Sequence, residues 1–305
     1  MQKPRALKSG DRVSVVAPAS PFDRDVFAAG LSELRALGFE PAFDEQVFER
    51  TGYLAGTPES RAAALMAAWL DPTVAGIFAA RGGYGSAQLL PFLDPAVARD
   101  ARKPLVGCSD LTALLVYLTT CCDTVGCHGP MLVNLADGVT GYDRASLLGA
   151  ISSTEPFGEL RPEGVQVLSA GEARGPLLGG TLSQLVASLA TPFAFSPPDG
   201  YVLLLDDVGE RPYRIDRMLT QLKQAGLLAR ASAVVCAEFP DCLDDDGGDA
   251  RSVVDDVLRA FDGPVLFGFP TGHTAGPLWT VPLGVDATVS TDPVPRLIIE
   301  EAAVE

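Results

Sequence analysis

The residues of this chain best placed for nucleophilic chemistry are Ser109 in Gly107-Cys108-Ser109-Asp110 and the only two histidines, His128 and His273. Ser109 falls between an apolar run from Pro104 and a helical pattern from Leu111. A serine on a sharp strand-to-helix turn projects its hydroxyl above a sheet, and the next backbone N–H faces a developing oxyanion. The second glycine of the usual G-x-S-x-G is absent, since Leu111 stands there, so by pattern alone Ser109 also reads as a helix N-cap. A serine nucleophile needs a base, and with two histidines available any Ser-His mechanism must use one of them. His128 ends a strand in Cys127-His128-Gly129-Pro130 and reads as a structural residue, whereas His273 lies in the loop Pro270-Thr271-Gly272-His273-Thr274.

Three further groups bear on the chemistry. Arg81-Gly82-Gly83-Tyr84-Gly85 lets the backbone approach a ligand closely and reads as a tight turn, an anion cradle or an oxyanion loop. Asp206 and Asp207 close the run from Tyr201, where a carboxylate is either a turn or helix-start acid or the partner that orients a catalytic histidine. Cys121, Cys122, Cys127 and His128 lack the paired C-x-x-C spacing of a zinc site, so no metal is expected. The acidic run Asp241, Asp244, Asp245, Asp246 and Asp249 misses calcium-loop spacing and reads as a solvated loop.

The elements that must position these groups follow from periodicity. Arg12–Ala17, Gly76–Ala80, Pro104–Cys108 and Thr124–His128 read as strands. Between them Phe27, Leu31, Leu34 and Leu37 recur at helical spacing, as do Ala62, Leu65, Met66 and Trp69 after the Thr57 N-cap and Pro58. A helix is also expected from Ser86 and another over Leu111–Thr119. Repeated β-α-β order predicts a parallel sheet covered by helices. From about Ser152 to Gly180 the pattern dissolves apart from a short strand at Val165–Leu168. The second half carries strands at Tyr201–Leu205, Ala233–Ala237, Val265–Phe269 and Leu297–Glu300, with helices built on Ile215, Met218, Leu219 and Leu222 and on Val254, Val257, Leu258 and Phe261. The expected organisation is a first domain over 1–152, a linker over 153–175 and a smaller, β-rich domain over 176–305, consistent with 305 residues exceeding one core.

Composition narrows the partners. A formal charge of −16 excludes a nucleic-acid partner, which needs a basic face. No apolar run approaches the ~20 residues of a membrane span. Val13–Ala19, interrupted by Ser14 and Pro18, reads as a strand rather than an export signal, so a cytoplasmic location is expected. The six cysteines lack the spacing of a secreted disulfide framework.

Together these segments resemble the LD-carboxypeptidase family, which includes the microcin C immunity peptidases. The resemblance runs through Val15-Val16-Ala17-Pro18, Gly52-Tyr53-Leu54-Ala55-Gly56-Thr57, Arg81-Gly82-Gly83-Tyr84-Gly85 and Gly107-Cys108-Ser109-Asp110. It continues through Leu178-Gly179-Gly180, Asp207-Val208-Gly209-Glu210, Tyr213 to Leu219, and Gly272-His273 followed by Pro282-Leu283-Gly284. It implies an α/β fold with a flavodoxin-like (glutamine-amidotransferase-like) first domain. It also implies Ser109 as nucleophile, His273 as base and Asp206 as the orienting acid, with the backbone N–H groups of Gly83 and Asp110 as oxyanion hole. Substrate contacts are implied at Arg81, Gly82 and Thr181. Asp206 replaces the family's usual glutamate and reaches ~1.5 Å less, with Glu210 as the alternative orienting acid, and Thr181 replaces an asparagine. The implied reaction releases D-alanine from a murein tetrapeptide, without a cofactor and in a homodimer. Hydrolysis of a peptidyl-nucleotide toxin and non-catalytic nucleotide or peptide binding are the alternatives.

Overall fold

The computed structural model describes residues 1–305. Fourteen strands run in chain order: β1 Arg12–Val16, β2 Glu40–Ala42, β3 Gly76–Ala79, β4 Leu105–Gly107, β5 Gly126–His128, β6 Gly158–Leu160, β7 Gln166–Ser169, β8 Glu172–Thr181, β9 Tyr201–Asp206, β10 Ala231–Ala237, β11 Val265–Phe269, β12 Val281–Leu283, β13 Asp286–Ser290 and β14 Arg296–Ile299. They form two sheets, ordered β12-β5-β4-β3-β1-β2 and β6-β14-β13-β8-β9-β10-β11-β7. In the first, β5, β4, β3, β1 and β2 are parallel and β12 joins antiparallel on β5, with Val281 opposite His128. In the second, β8, β9, β10 and β11 form a parallel centre flanked by antiparallel strands.

The first sheet follows from its short, wholly buried strands: β3, β4 and β5 are buried along their whole length, as parallel strands covered on both faces must be, and His128 at the end of β5 is the one polar side chain among them. Helices Arg24–Ala36 and Pro58–Leu70 cover it, capped by Asp23 and Thr57 side chains that accept the free N–H groups of the first turn. From Ser86 the chain forms a 3-10 helix rather than an α-helix, and Pro91 inside it supplies no N–H for a longer ladder.

Residues 153–175, where a linker is expected, contain β6 and β7 and the start of β8. The short strand expected at Val165–Leu168 corresponds to β7, but the ten-residue β8 runs through the segment whose pattern dissolves. β8 is rich in glycine because its neighbour comes very close. A β-carbon on Gly175 would lie 1.9 Å from the Gly200 carbonyl oxygen, and one on Gly179 would lie 2.0 Å from that of Leu204. The second unit is β-rich as expected, although with eight strands against six it is the larger in strand number.

The two units share a core. Helix Thr112–Cys121 presents Leu114 and Leu118, with Leu111 just before it, to the first unit's apolar cluster. Its Val116 packs with Leu178 and Leu182, and its Leu115 with Val202, Leu204 and Val235 of the second. A helix apolar all round is one buried on all sides. Thr112 completes the join: its Oγ1 accepts the Thr181 N–H at 3.0 Å, and its side chain fills the space that a β-carbon on Gly180 would need. The helix that begins beside Ser109 is thereby fixed against the strand that ends beside Asp206.

Candidate active site

Ser109 sits at the C-terminal end of β4 with φ 61°, in the left-handed region that costs a non-glycine residue roughly 1–3 kcal/mol. A 3-10 turn over Ser109–Leu111 leads into the helix, and no side chain caps that turn. The serine hydroxyl is therefore not a helix cap. It lies 3.1 Å from His273 Nε2, and His273 Nδ1 lies 2.6 Å from Asp206 Oδ2. Because Nδ1 faces a carboxylate, which only accepts, it carries the ring hydrogen, and the Nε2 lone pair is left for the serine. The neighbouring Cys108 does not compete as a nucleophile, since burial and then the Asp206 charge push its thiol well above the usual range and keep it protonated.

Topology brings the three side chains together. Asp206 is the last residue of β9, at the centre of the second sheet. His273 lies in the connection between β11 of the second sheet and β12 of the first, so the loop that carries it crosses from one unit to the other. Gly272 has φ 66°, and a β-carbon there would come within 2.4 Å of Asp206 Oδ2. Glycine at this position lets the loop close over the carboxylate, which also accepts the His273 backbone N–H at 3.2 Å.

Asp206 is fully buried. Burial alone would raise its carboxyl, but hydrogen bonding and charge from His128 and His273 outweigh it and hold it below the usual carboxylate range. For His273, burial would lower the imidazole, and the hydrogen bond to Asp206 with the charges of Asp206 and Asp207 raises it instead. Asp207 accepts the Ser183 N–H at 2.8 Å and its own successor's N–H at 2.9 Å. Its carboxyl is pushed up to about 6, by burial first and by the Asp206 charge. Glu210, the alternative orienting acid, instead faces Arg214 Nη1 at 3.4 Å.

The glycine loop lies directly against the serine. A β-carbon on Gly82 would stand 3.0 Å from Ser109 Cβ and 3.4 Å from the Asp110 nitrogen. Gly83, at φ 98°, is held by Ser20, whose N–H donates to the Gly82 carbonyl and whose Oγ accepts the Tyr84 N–H at 3.1 Å. Arg81 is exposed and donates one guanidinium N–H to the Pro21 carbonyl at 2.7 Å. Asp110 is buried, with Oδ2 accepting the Ser86 N–H at 2.8 Å, which clamps the glycine loop to the elbow.

Thr181 departs from its expected place as a substrate contact. It is buried, and its hydroxyl donates to Asp206 Oδ1 at 3.0 Å, so it supports the carboxylate. His128, expected to be structural, lies with Nε2 3.4 Å from the same oxygen.

Arg61 escapes sequence reasoning altogether. It is buried and donates to the carbonyls of Pro18, Gly85 and Gly56 and to Gln88 Oε1, tying together the loops that carry three of the motif fragments. Its signal was an arginine four residues before Leu65, on the face that the helix buries.

A strained serine at a strand-to-helix elbow, hydrogen-bonded through a histidine to a buried carboxylate, is an arrangement suited to a serine hydrolase, and its three side chains come from both units of a two-unit α/β fold. The chain belongs to the LD-carboxypeptidase family: the family's N-terminal domain matches residues 13–129 and its C-terminal domain matches residues 174–289. The murein tetrapeptide carboxypeptidase of Pseudomonas aeruginosa is 32% identical over 274 residues, covering 87% of this chain and 88% of its own. The crystal structure of a muramoyltetrapeptide carboxypeptidase from Oxalobacter formigenes superimposes with a TM-score of 0.84 at 27% identity, covering 95% of this chain and 99% of the other. The microcin C7 self immunity protein in its apo state superimposes with a TM-score of 0.89 at 22% identity over all of both chains, a likeness of fold. No helix is long and apolar enough to cross a membrane.

Proposed function

We propose that this chain is a serine carboxypeptidase that hydrolyses the amide between an L-centre and a terminal D-amino acid, releasing D-alanine from a murein tetrapeptide in cell-wall recycling. The observation that carries the reading is the unbroken chain from Ser109 Oγ through His273 to buried Asp206, in a family member with a murein-tetrapeptide-cleaving relative of similar length. His273 Nε2 takes the serine proton as Oγ attacks the scissile carbonyl. Asp206 holds the ring in place and stabilises the imidazolium that forms. The N–H groups of Gly83 and Asp110 receive the oxyanion, and His273 then protonates the leaving amine before water clears the acyl-enzyme. Arg81 and Gly82 lie on the substrate side of this site. Such an enzyme would act in the cytoplasm on free wall fragments, as a homodimer.

The test is incubation of the purified protein with murein tetrapeptides ending in D-alanine and in L-alanine, with released alanine measured. Cleavage of the D-epimer alone is expected, because the wrong hand displaces the carbonyl from Ser109, and ~1 Å of misplacement costs ~10²-fold. Equal cleavage of both, or cleavage of an aminoacyl-nucleotide conjugate and of neither tetrapeptide, would move the substrate elsewhere.

A further inference from the structure

The two histidines of the chain converge on one carboxylate. Asp206 Oδ2 receives His273 Nδ1 and the His273 backbone N–H. Oδ1 receives the Thr181 hydroxyl at 3.0 Å and faces His128 Nε2 at 3.4 Å. His128 is itself wholly buried at the end of β5, opposite Gly107 in the strand that delivers Ser109. Its Nε2 has no other partner, and the charge that faces it is Asp206 Oδ1 at 3.4 Å. At the other side of the ring, Nδ1 lies 3.3 Å from Thr271 Oγ1, which is 2.8 Å from the Trp279 carbonyl.

The proton count constrains this arrangement. An ionised carboxylate only accepts, so a bare Nε2 would aim a lone pair at a negative charge in a fully buried site. Thr271 has one hydroxyl hydrogen to place, on Trp279 or on His128 Nδ1. Turned to Nδ1, it leaves the single ring hydrogen for Nε2; turned to Trp279, it accepts from Nδ1–H, and a hydrogen on Nε2 as well gives a ring with both nitrogens protonated. In both cases only a hydrogen on Nε2 suits the facing carboxylate.

We propose that His128 is a positioning residue for the triad, donating Nε2–H to Asp206 Oδ1 so that Oδ2 stays aimed at His273. A carboxylate rotates about its Cβ–Cγ bond unless both oxygens are held, and Thr181 supplies one flexible hydroxyl. The His128 ring, held between β5 and Thr271, supplies a rigid second support. It does not reach the serine, so it is not a second base. This inference rests on the reading of Ser109, His273 and Asp206 as the triad.

Labelling the intact protein with 15N-histidine tests it directly, because two rings give four nitrogens. A hydrogen-bearing His128 Nε2 is expected beside a hydrogen-bearing His273 Nδ1. His128→Leu should lower kcat by roughly 10- to 100-fold, with KM little changed and the His273 Nδ1–H resonance displaced, in line with the sensitivity of rate to small misplacement. His128→Gln, whose side-chain amide can place an N–H near the position of Nε2, should recover most of kcat. Folded His128→Leu with kcat within about twofold of the original, or a bare Nε2 in the unmutated protein, would overturn the inference. The second outcome decides the matter even if His128→Leu does not fold. Asp206→Asn separates this inference from its premise: a crippled Asp206→Asn beside an active His128→Leu removes the role of His128 alone, and an active Asp206→Asn removes the triad with it.

Discussion

Gly82 and Ser109 are packed so closely that a β-carbon on the glycine would stand 3.2 Å from the serine Oγ. The glycine loop is therefore the wall of the site itself. Gly82 does not have a positive φ, so alanine fits its backbone and the substitution tests crowding alone. Gly82→Ala should leave the melting temperature nearly unchanged and lower kcat/KM by ~10²-fold. Unchanged turnover would mean that substrate approaches the serine from another side.

Ser109→Ala and His273→Ala should each lower kcat by at least ~10³, and the double variant should be little worse than either single one, because groups acting as a unit are not additive. Steady-state kinetics on folded variants checks this. Additive losses would break the coupling inferred from the 3.1 Å contact between the two side chains.

Asp206→Asn should reduce kcat far more than it changes KM, since the carboxylate acts on the ring and not on the ground-state substrate. Glu210→Gln should be mild, because Glu210 lies just before helix Pro212–Gln224 and faces Arg214 of that helix. The opposite ranking in kcat would transfer the orienting role to Glu210.

The rate should depend on pH with a sign fixed by His273. As a base it works only when neutral, and its raised pKa means that the proton is held to higher pH than in a free imidazole. Activity should thus rise with pH, with a midpoint above the ordinary ~6.5. For stability the same shift works the other way: the contribution is fully present below ~6.5 and is lost as pH rises through the folded value. Asp207, pushed up to about 6, ionises just below this range and adds to the charge that His273 feels. Asp207→Asn should move the kcat/KM midpoint downward, and an upward shift in the measured profile would contradict that coupling.

Much of the parallel framework was legible in the sequence because its strands are short apolar runs bounded by glycine and proline. β1, β3, β9, β10 and β11 fall where periodicity puts them, and so does the helix built on Ile215, Met218, Leu219 and Leu222. β8 was not legible, because the glycines that let its backbone approach β9 are the residues that ordinarily signal a loop. β12 is three residues long with proline at its centre, and its partner β5 lies in the other half of the chain. At the site, Ser109, His273 and Asp206 could be singled out through the family resemblance, whereas local motifs alone left Ser109 open as a helix cap and Asp206 as a turn or helix-start acid. The Thr181 and His128 contacts to Asp206 could not, since they join segments far apart in sequence and depend on how the two units dock.

The return of β12 to the edge of the first sheet sets an order of events during synthesis. Ser109 and its elbow leave the ribosome early, yet β5 lacks its outer neighbour until Val281–Leu283 have been made. The loop immediately before that strand is the one that delivers His273. On the proposed triad, the nascent chain carries its nucleophile without a base until that loop is made, and the closing of the first sheet is also the step that brings the base to it.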